Sequence, residues 1–266
     1  HGFGGTPADM RSVAALLAAD GWVVEVPLLP GFGAAIRDLP DVRLDDWLGE
    51  VRDAADRLRG EADGRLLVIG QSMGASLALA TARDLRPDGL VLLAPLWWPQ
   101  PMWLRIAGPV VTALAPPGVR PFRRIGLDGH DVREGLGGIL PGRDLDDPDV
   151  RRRLRDLTVP VSVFGELFRV SRAARSGARR LRAPALVVQG IDDEVARRDR
   201  ARRLVDAFAT PPRYVEVPGG HGLTTEASPA REEPPPRFLA SARGARLRPP
   251  IARPGTASRT RDKLPG

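Results

Sequence analysis

The sequence predicts an α/β fold: a mostly parallel sheet with helices on both faces and a helical cap inserted late in the chain. Three observations carry this reading. Short apolar runs that look like buried strands alternate with amphipathic helical patterns. A G-x-S-x-G pentapeptide, Gly70-Gln71-Ser72-Met73-Gly74, sits between one such run and a helix. A group of acidic residues and a histidine fall just past the ends of two later runs, where sites in parallel sheets lie.

The elements follow in order. Thr6 is a fitting helix cap, Pro7 suits the first turn and Asp9 favours its dipole. Val13, Leu16 and Leu17 supply that helix with a buried stripe, and Gly21 ends it. Residues 22–26, Trp-Val-Val-Glu-Val, are expected as a strand. Leu44, Trp47, Leu48, Val51, Ala55 and Leu58 recur on one face of the next helix. Residues 65–69 form the strand before the pentapeptide, and the small residues and leucines of 75–82 the helix after it. Further strands are expected over 89–93, 185–190 and 213–217, with a helix over 198–208.

The chemistry starts at Ser72. A serine on a sharp strand-to-helix turn is held in a strained conformation, and flanking glycines are needed because side chains there would clash. Such a nucleophile needs a base, and the chain has three histidines. His1 opens a different motif and His130 sits among Gly, Asp and Arg. His221 lies in a glycine-rich loop after the 213–217 strand. A carboxylate must orient the base, and Asp192 and Asp193 both follow the 185–190 strand. The order Ser, Asp, His is the one expected for this turn.

With these residues in place, the sequence resembles the α/β-hydrolase superfamily, most of all the small bacterial carboxylesterases and monoacylglycerol lipases. The resemblance covers roughly residues 1–226 and rests on HGFGG, PLLPGFG, DDW, GQSMG, LAPLWW, VVQGIDDEV and GGHGLT. It implies an α/β-hydrolase fold, and it selects Asp193 over Asp192 as the acid. It also implies an oxyanion hole from the backbone N–H groups of Phe3 and Met73, with His1 shaping the loop. A serine at this position disfavours the superfamily's dehalogenases and epoxide hydrolases, which use a carboxylate nucleophile.

Residues 1–95 and 182–226 are expected to form the hydrolase core and 96–181 the cap. Trp97, Trp98 and Met102 open the cap. As substrate-binding residues they would line an acyl pocket; as structural residues they would form the cap's own core. Residues 227–266 are rich in Arg and Pro and are expected to be disordered.

Two features depart from the resemblance. Superfamily members carry an interior strand immediately before the oxyanion loop, which here begins at His1; the expectation is a chain that is a fragment without that strand. They also end in an amphipathic helix, where this chain has its Arg/Pro-rich tail.

Composition narrows the classes. The chain has no cysteine, which excludes disulfides and thiol catalysis. No His–carboxylate cluster has metal-ligand spacing, so neither metal nor cofactor is expected. No apolar run is long enough to span a bilayer, although transient contact with a lipid interface fits the Trp/Met cluster. No leader pattern is visible, and a cytoplasmic location is expected. The formal net charge is +7, of which +6 resides in residues 227–266, so no basic face for nucleic acid is expected on the domain. Nothing in the pattern indicates an oligomeric state. The expected function is a serine hydrolase cleaving small, lipid-like carboxylic esters through Ser72, Asp193 and His221. The alternatives are a thioesterase or acyltransferase of the same fold, or an inactive truncated hydrolase.

Overall fold

The computed structural model describes residues 1–98, 118, 146–156, 160–224 and 251–252. In chain order, a 3₁₀ turn at Pro7–Met10 leads into α1 (Arg11–Ala19), and a second 3₁₀ segment spans Gly33–Asp41. Then come α2 (Leu44–Glu61), β1 (Ala62–Asp63), β2 (Leu67–Gln71), α3 (Met73–Leu85) and β3 (Gly89–Leu93). After these lie α4 (Pro148–Asp156), α5 (Val161–Ala178), β4 (Ala185–Gly190), α6 (Arg198–Val205), β5 (Arg213–Val217) and β6 (Ile251–Ala252).

The main sheet has four parallel strands in the order β2-β3-β4-β5, the parallel α/β architecture that the alternating pattern predicts. Gln71 lies opposite Leu93, Leu93 opposite Val188, and Gly190 opposite Val217. The carboxyl ends of all four strands are therefore brought into line. The central strands are apolar throughout because both faces are covered. Leu90, Leu92, Ala185 and Val187 face a core shared with α3, α5 and α6, while Val91, Leu93, Leu186 and Val188 face the side that carries Val13 of α1. Alternate residues point to opposite faces, so one strand feeds both cores.

Helices α3 and α5 meet at their backbones. A Cβ on Gly177 would lie 1.9 Å from the Leu79 carbonyl oxygen, so only glycine fits. The last part of the segment expected as a cap thus lies along α3. Glu166 of α5 is buried and accepts from the Leu44 N–H at the start of α2 (2.8 Å). An ion pair with Arg169 at 2.9 Å supports it.

The structure corrects one element. Residues 22–26, expected as a strand, are extended but join neither sheet. A strand exists through its ladder, and among the described residues this segment pairs with none. β2 pairs with β3 alone among them. In the expected tail, Ala252 pairs with Ala62 and Ile251 with Asp63 in a short antiparallel bridge. The remainder of residues 225–266 lies outside the described residues.

Gly177→Ala is expected to destabilise the protein by about 1–3 kcal/mol, since the helices must separate to admit the methyl group. Gly165→Ala, on the exposed side of the same helix with nothing within 4 Å, is expected to be neutral or to stabilise by up to about 1 kcal/mol. Urea unfolding of the two variants checks the contrast.

Candidate active site

The turn between β2 and α3 places Ser72. Its φ of 53° and ψ of −116° lie in a region that residues with a side chain rarely occupy. The surrounding backbone holds it there. The Ser72 N–H donates to the Leu93 carbonyl (2.8 Å), and the Ser72 carbonyl accepts from the N–H groups of Leu96 (3.1 Å) and Ser76 (3.3 Å). The glycines are steric necessities: a Cβ on Gly70 would lie 2.4 Å from the Gly74 carbonyl group, and one on Gly74 2.6 Å from the His1 carbonyl oxygen. Ser72 itself is buried.

Asp193 and His221 come together from the ends of β4 and β5. His221 Nδ1 lies 2.9 Å from Asp193 Oδ2. A carboxylate oxygen accepts, so Nδ1 carries the proton and Nε2 is left as the basic nitrogen. Asp193 Oδ1 accepts from the N–H groups of Val195 (2.9 Å) and Ala196 (2.7 Å), while Oδ2 also accepts from Gln189 Nε2 (3.0 Å). Burial pushes the Asp193 carboxyl up. The bond to His221 and that residue's charge, with the Ala196 and Gln189 donors, outweigh burial and hold it below the ordinary 3.8. Asp192, its neighbour, is exposed. The two loops touch closely, and a Cβ on Gly190 would lie 2.2 Å from the Gly220 carbonyl oxygen.

Two glutamines, neither singled out by the sequence reading, tie these parts together. Gln71, immediately before Ser72, donates from Nε2 to the His221 carbonyl (3.2 Å), and its Oε1 accepts from Thr224 Oγ1 (2.9 Å). The Thr224 carbonyl in turn accepts from Ser12 Oγ of α1. Gln189 is fully buried, and its Nε2 also faces the Ala196 carbonyl at 2.8 Å. The available signal was a polar residue at the end of each otherwise apolar strand run, where nothing but a functional site or a structural tie explains it.

The expected oxyanion loop lies against Ser72. A Cβ on Gly2 would meet the Ser72 Cβ at 3.3 Å. The His1 ring is buried; its Nε2 accepts from the Leu29 N–H (3.1 Å) and its Nδ1 contacts the Gly2 carbonyl (2.9 Å). Both ring nitrogens are engaged in holding the loop, as a shaping residue requires. The His1 and Phe3 rings pack edge-on against Phe32, with centroids 5.5 and 5.4 Å away, and Phe32 stacks on Trp47. Met73 opens α3, so its N–H has no partner within the helix.

Of the expected substrate-binding residues, Trp97 is buried in the core with α3 and α5, beneath the Arg175 guanidinium at 5.8 Å. Trp98 is half-buried, packs against Phe168 and donates its N–H to Ser171 Oγ (3.1 Å). Met102 and His130 lie outside the described residues. Among the described residues there is no cluster of metal-binding side chains, and no helix is long and apolar enough to cross a membrane.

Asp193→Asn is expected to lower kcat/KM for an ester by about 10³–10⁴-fold, by favouring the wrong His221 tautomer, while Asp192→Asn stays within about twofold. Its depressed pKa means that the ionised Asp193 stabilises the fold above the unfolded carboxyl range, and that this contribution is lost as pH falls through the folded value. The stability deficit of Asp193→Asn, read from urea midpoints, is therefore expected at neutral pH and to shrink on acidification.

Comparison with known proteins identifies relatives of this chain. The chain is 29% identical over 203 residues to a thermostable monoacylglycerol lipase of Bacillus sp. (strain H-257), covering 73% of this chain and 69% of that one. It is 28% identical over 97 residues to a carboxylesterase of Bacillus subtilis (strain 168), covering 36% and 39% of the two chains. Among solved structures, one from the metagenome-derived lipolytic enzymes LipS and LipT superposes with a TM-score of 0.65 at 21% identity, over 91% of this chain and 89% of that one. The monoacylglycerol lipase of Paleococcus ferrophilus superposes with a TM-score of 0.59 at 19% identity, over 90% and 88%. A family model described as serine aminopeptidase, S33 (Hydrolase_4) matches residues 1–227, and the chain belongs to this family of α/β-hydrolases.

Proposed function

We propose that this serine hydrolase cleaves carboxylic esters with apolar acyl groups, acylglycerol-like esters among them. Ser72 is the nucleophile, His221 the base and Asp193 its orienting acid. The observation that carries the reading is the 2.9 Å bond from His221 Nδ1 to the buried Asp193, at the sheet edge where Ser72 is held at φ 53°. The lipase and carboxylesterase names of the Bacillus relatives support the ester class.

His221 Nε2 takes the Ser72 proton as Oγ attacks the acyl carbonyl carbon. Negative charge moves to the carbonyl oxygen, which the Phe3 and Met73 N–H groups stabilise; such donors are worth about 3–4 kcal/mol each in related chemistry. The imidazolium, held by Asp193, then protonates the departing alkoxide as the ester C–O bond breaks. Water attacks the acyl-enzyme, gives a proton to His221, and the acid leaves as Ser72 recovers its proton. Hydrolysis is balanced by one water and consumes no cofactor. Phe3, Trp98 and Phe164, half-buried against the apolar cluster that contains Met73, are assigned to the acyl chain. Trp97 is assigned to support Trp98 from the core. Met102 is assigned to the same pocket on its sequence position alone.

The test is a series of p-nitrophenyl esters from acetate to dodecanoate, a monoacylglycerol and an aminoacyl p-nitroanilide. Ester cleavage is expected, with Ser72→Ala reducing kcat by about 10⁴-fold or more. Faster cleavage of the anilide than of every ester, or an active Ser72→Ala, overturns the reading.

A further inference from the structure

Phe32 stands where the elements around the proposed oxyanion site meet. It is fully buried, and the rings of His1 and Phe3 lie nearly perpendicular to it, at 89° and 86°. Trp47 of α2 stacks on it at 21°, with centroids 6.1 Å apart. Met73 is fully buried in the same apolar cluster, and Phe3 packs against that cluster. The side chains of both proposed oxyanion donors therefore end in the packing that Phe32 and Trp47 share.

The turn that carries Phe32 is fixed from several sides. Trp47 Nε1–H donates to the Pro30 carbonyl (2.9 Å), and the Leu29 N–H donates to His1 Nε2 (3.1 Å). Gly31 has a φ of +77°, and a Cβ there would lie 2.8 Å from Val42 Cγ2 and 3.0 Å from Leu39 Cα. The turn is thus pressed against the segment that leads into α2. The start of α2 is tied in turn to α5, through the bond from the Leu44 N–H to Glu166.

An N–H kept for a developing oxyanion cannot also bind its own loop into the fold. Such a loop must be held through its side chains, and the hold must be directional, since a shift of about 1 Å near reacting atoms can cost about 10²-fold in rate. Perpendicular and stacked ring pairs fix orientation as well as distance, which an aliphatic side chain does not. A Cβ on Gly2 would already meet the Ser72 Cβ at 3.3 Å, so a shift of this loop is felt beside the hydroxyl.

We propose that Phe32, backed by Trp47, is a positioning residue for the oxyanion site. Through the Phe3 ring and the cluster around Met73 it sets the two N–H groups relative to Ser72. The proposal rests on the ester-hydrolase reading and adds to it a residue that acts only through others.

The test compares Phe32→Leu and Trp47→Phe with Val170→Ala, a fully buried member of the same cluster on α5. Hydrolysis of p-nitrophenyl acetate, inhibition by trifluoroacetone and the thermal midpoint are read for each. The two-carbon acyl group keeps acyl-chain contacts of the Phe3 ring out of the measurement. Trifluoroacetone adds to a serine hydroxyl as a hemiketal whose oxyanion needs the same donors, so it reads the site apart from turnover. Phe32→Leu is expected to lower kcat by about 10–100-fold with KM within about twofold, and to weaken inhibition by a matching factor. Trp47→Phe keeps a stacked ring and removes the bond to Pro30; it is expected to lower both by about 3–10-fold. Val170→Ala is expected to lower Tm at least as far as Trp47→Phe, with kcat and inhibition within about twofold of wild type. Unchanged kcat and inhibition in Phe32→Leu, a change confined to KM, or an equal loss in Val170→Ala overturns the proposal. Where Phe32→Leu does not fold, Trp47→Phe decides by the same criteria. A wild type that neither cleaves the ester nor is inhibited by the ketone overturns the hydrolase reading itself, and this proposal with it.

Discussion

Everything at the candidate site depends on the backbone of Ser72 being held where it is costly to be. A φ of 53° is rarely taken by a residue with a side chain, so the surrounding structure must over-determine it. It does so with three backbone hydrogen bonds, one to Leu93 at the end of β3, one to Leu96 in the loop that follows and one to Ser76 in the first turn of α3. The close approaches of Gly70 to Gly74 and of Gly74 to His1 leave no room for the chain to relax. Sequence enters the site first through absence of side chains. The glycines let three segments meet at one point, and that meeting sets where the hydroxyl stands.

The second requirement is that a base from another strand arrive at the same edge. The parallel register levels the carboxyl ends of β2 through β5, which brings the Ser72, Asp193 and His221 loops to one side. Register alone does not orient an imidazole. Asp193 does that, and it is itself oriented by two backbone N–H groups and by Gln189. A buried carboxylate with four donors remains ionised despite desolvation, as its depressed pKa reflects. Gln71 completes the arrangement by binding the His221 carbonyl from the position next to Ser72. Asp193, His221 and the glutamine beside Ser72 are thus joined by hydrogen bonds.

Much of this was legible in the sequence, for specific reasons. The turn at Ser72 was legible because only glycines and a serine at fixed spacing fit it. The strands at 89–93 and 185–190 were legible because apolar runs belong in a doubly covered sheet, and that at 213–217 because Tyr and Val favour strands. The strand expected at 22–26 failed for the opposite reason: its residues have β character, but a strand is defined by its ladder, and among the described residues this segment pairs with none. Trp97 could not be sorted between core and pocket, since an apolar residue reads the same in both; its burial with α3 and α5 appears only once α5 is placed. Gln71 and Glu166 were missed because each is a polar residue whose partner is distant in sequence: the His221 carbonyl bonded by Gln71 is 150 residues away and the Leu44 N–H bonded by Glu166 122. Glycine at 177 carried no local signal, because its role is set by Leu79 of another helix.

The most direct measurement is reaction of the protein with a fluorophosphonate, followed by mass spectrometry of its peptides. The account predicts a phosphonyl group on Ser72, formed in the wild type and lost in His221→Ala, since an unassisted serine hydroxyl is a weak nucleophile. An adduct on another residue, or equal labelling of Ser72 without His221, would contradict it.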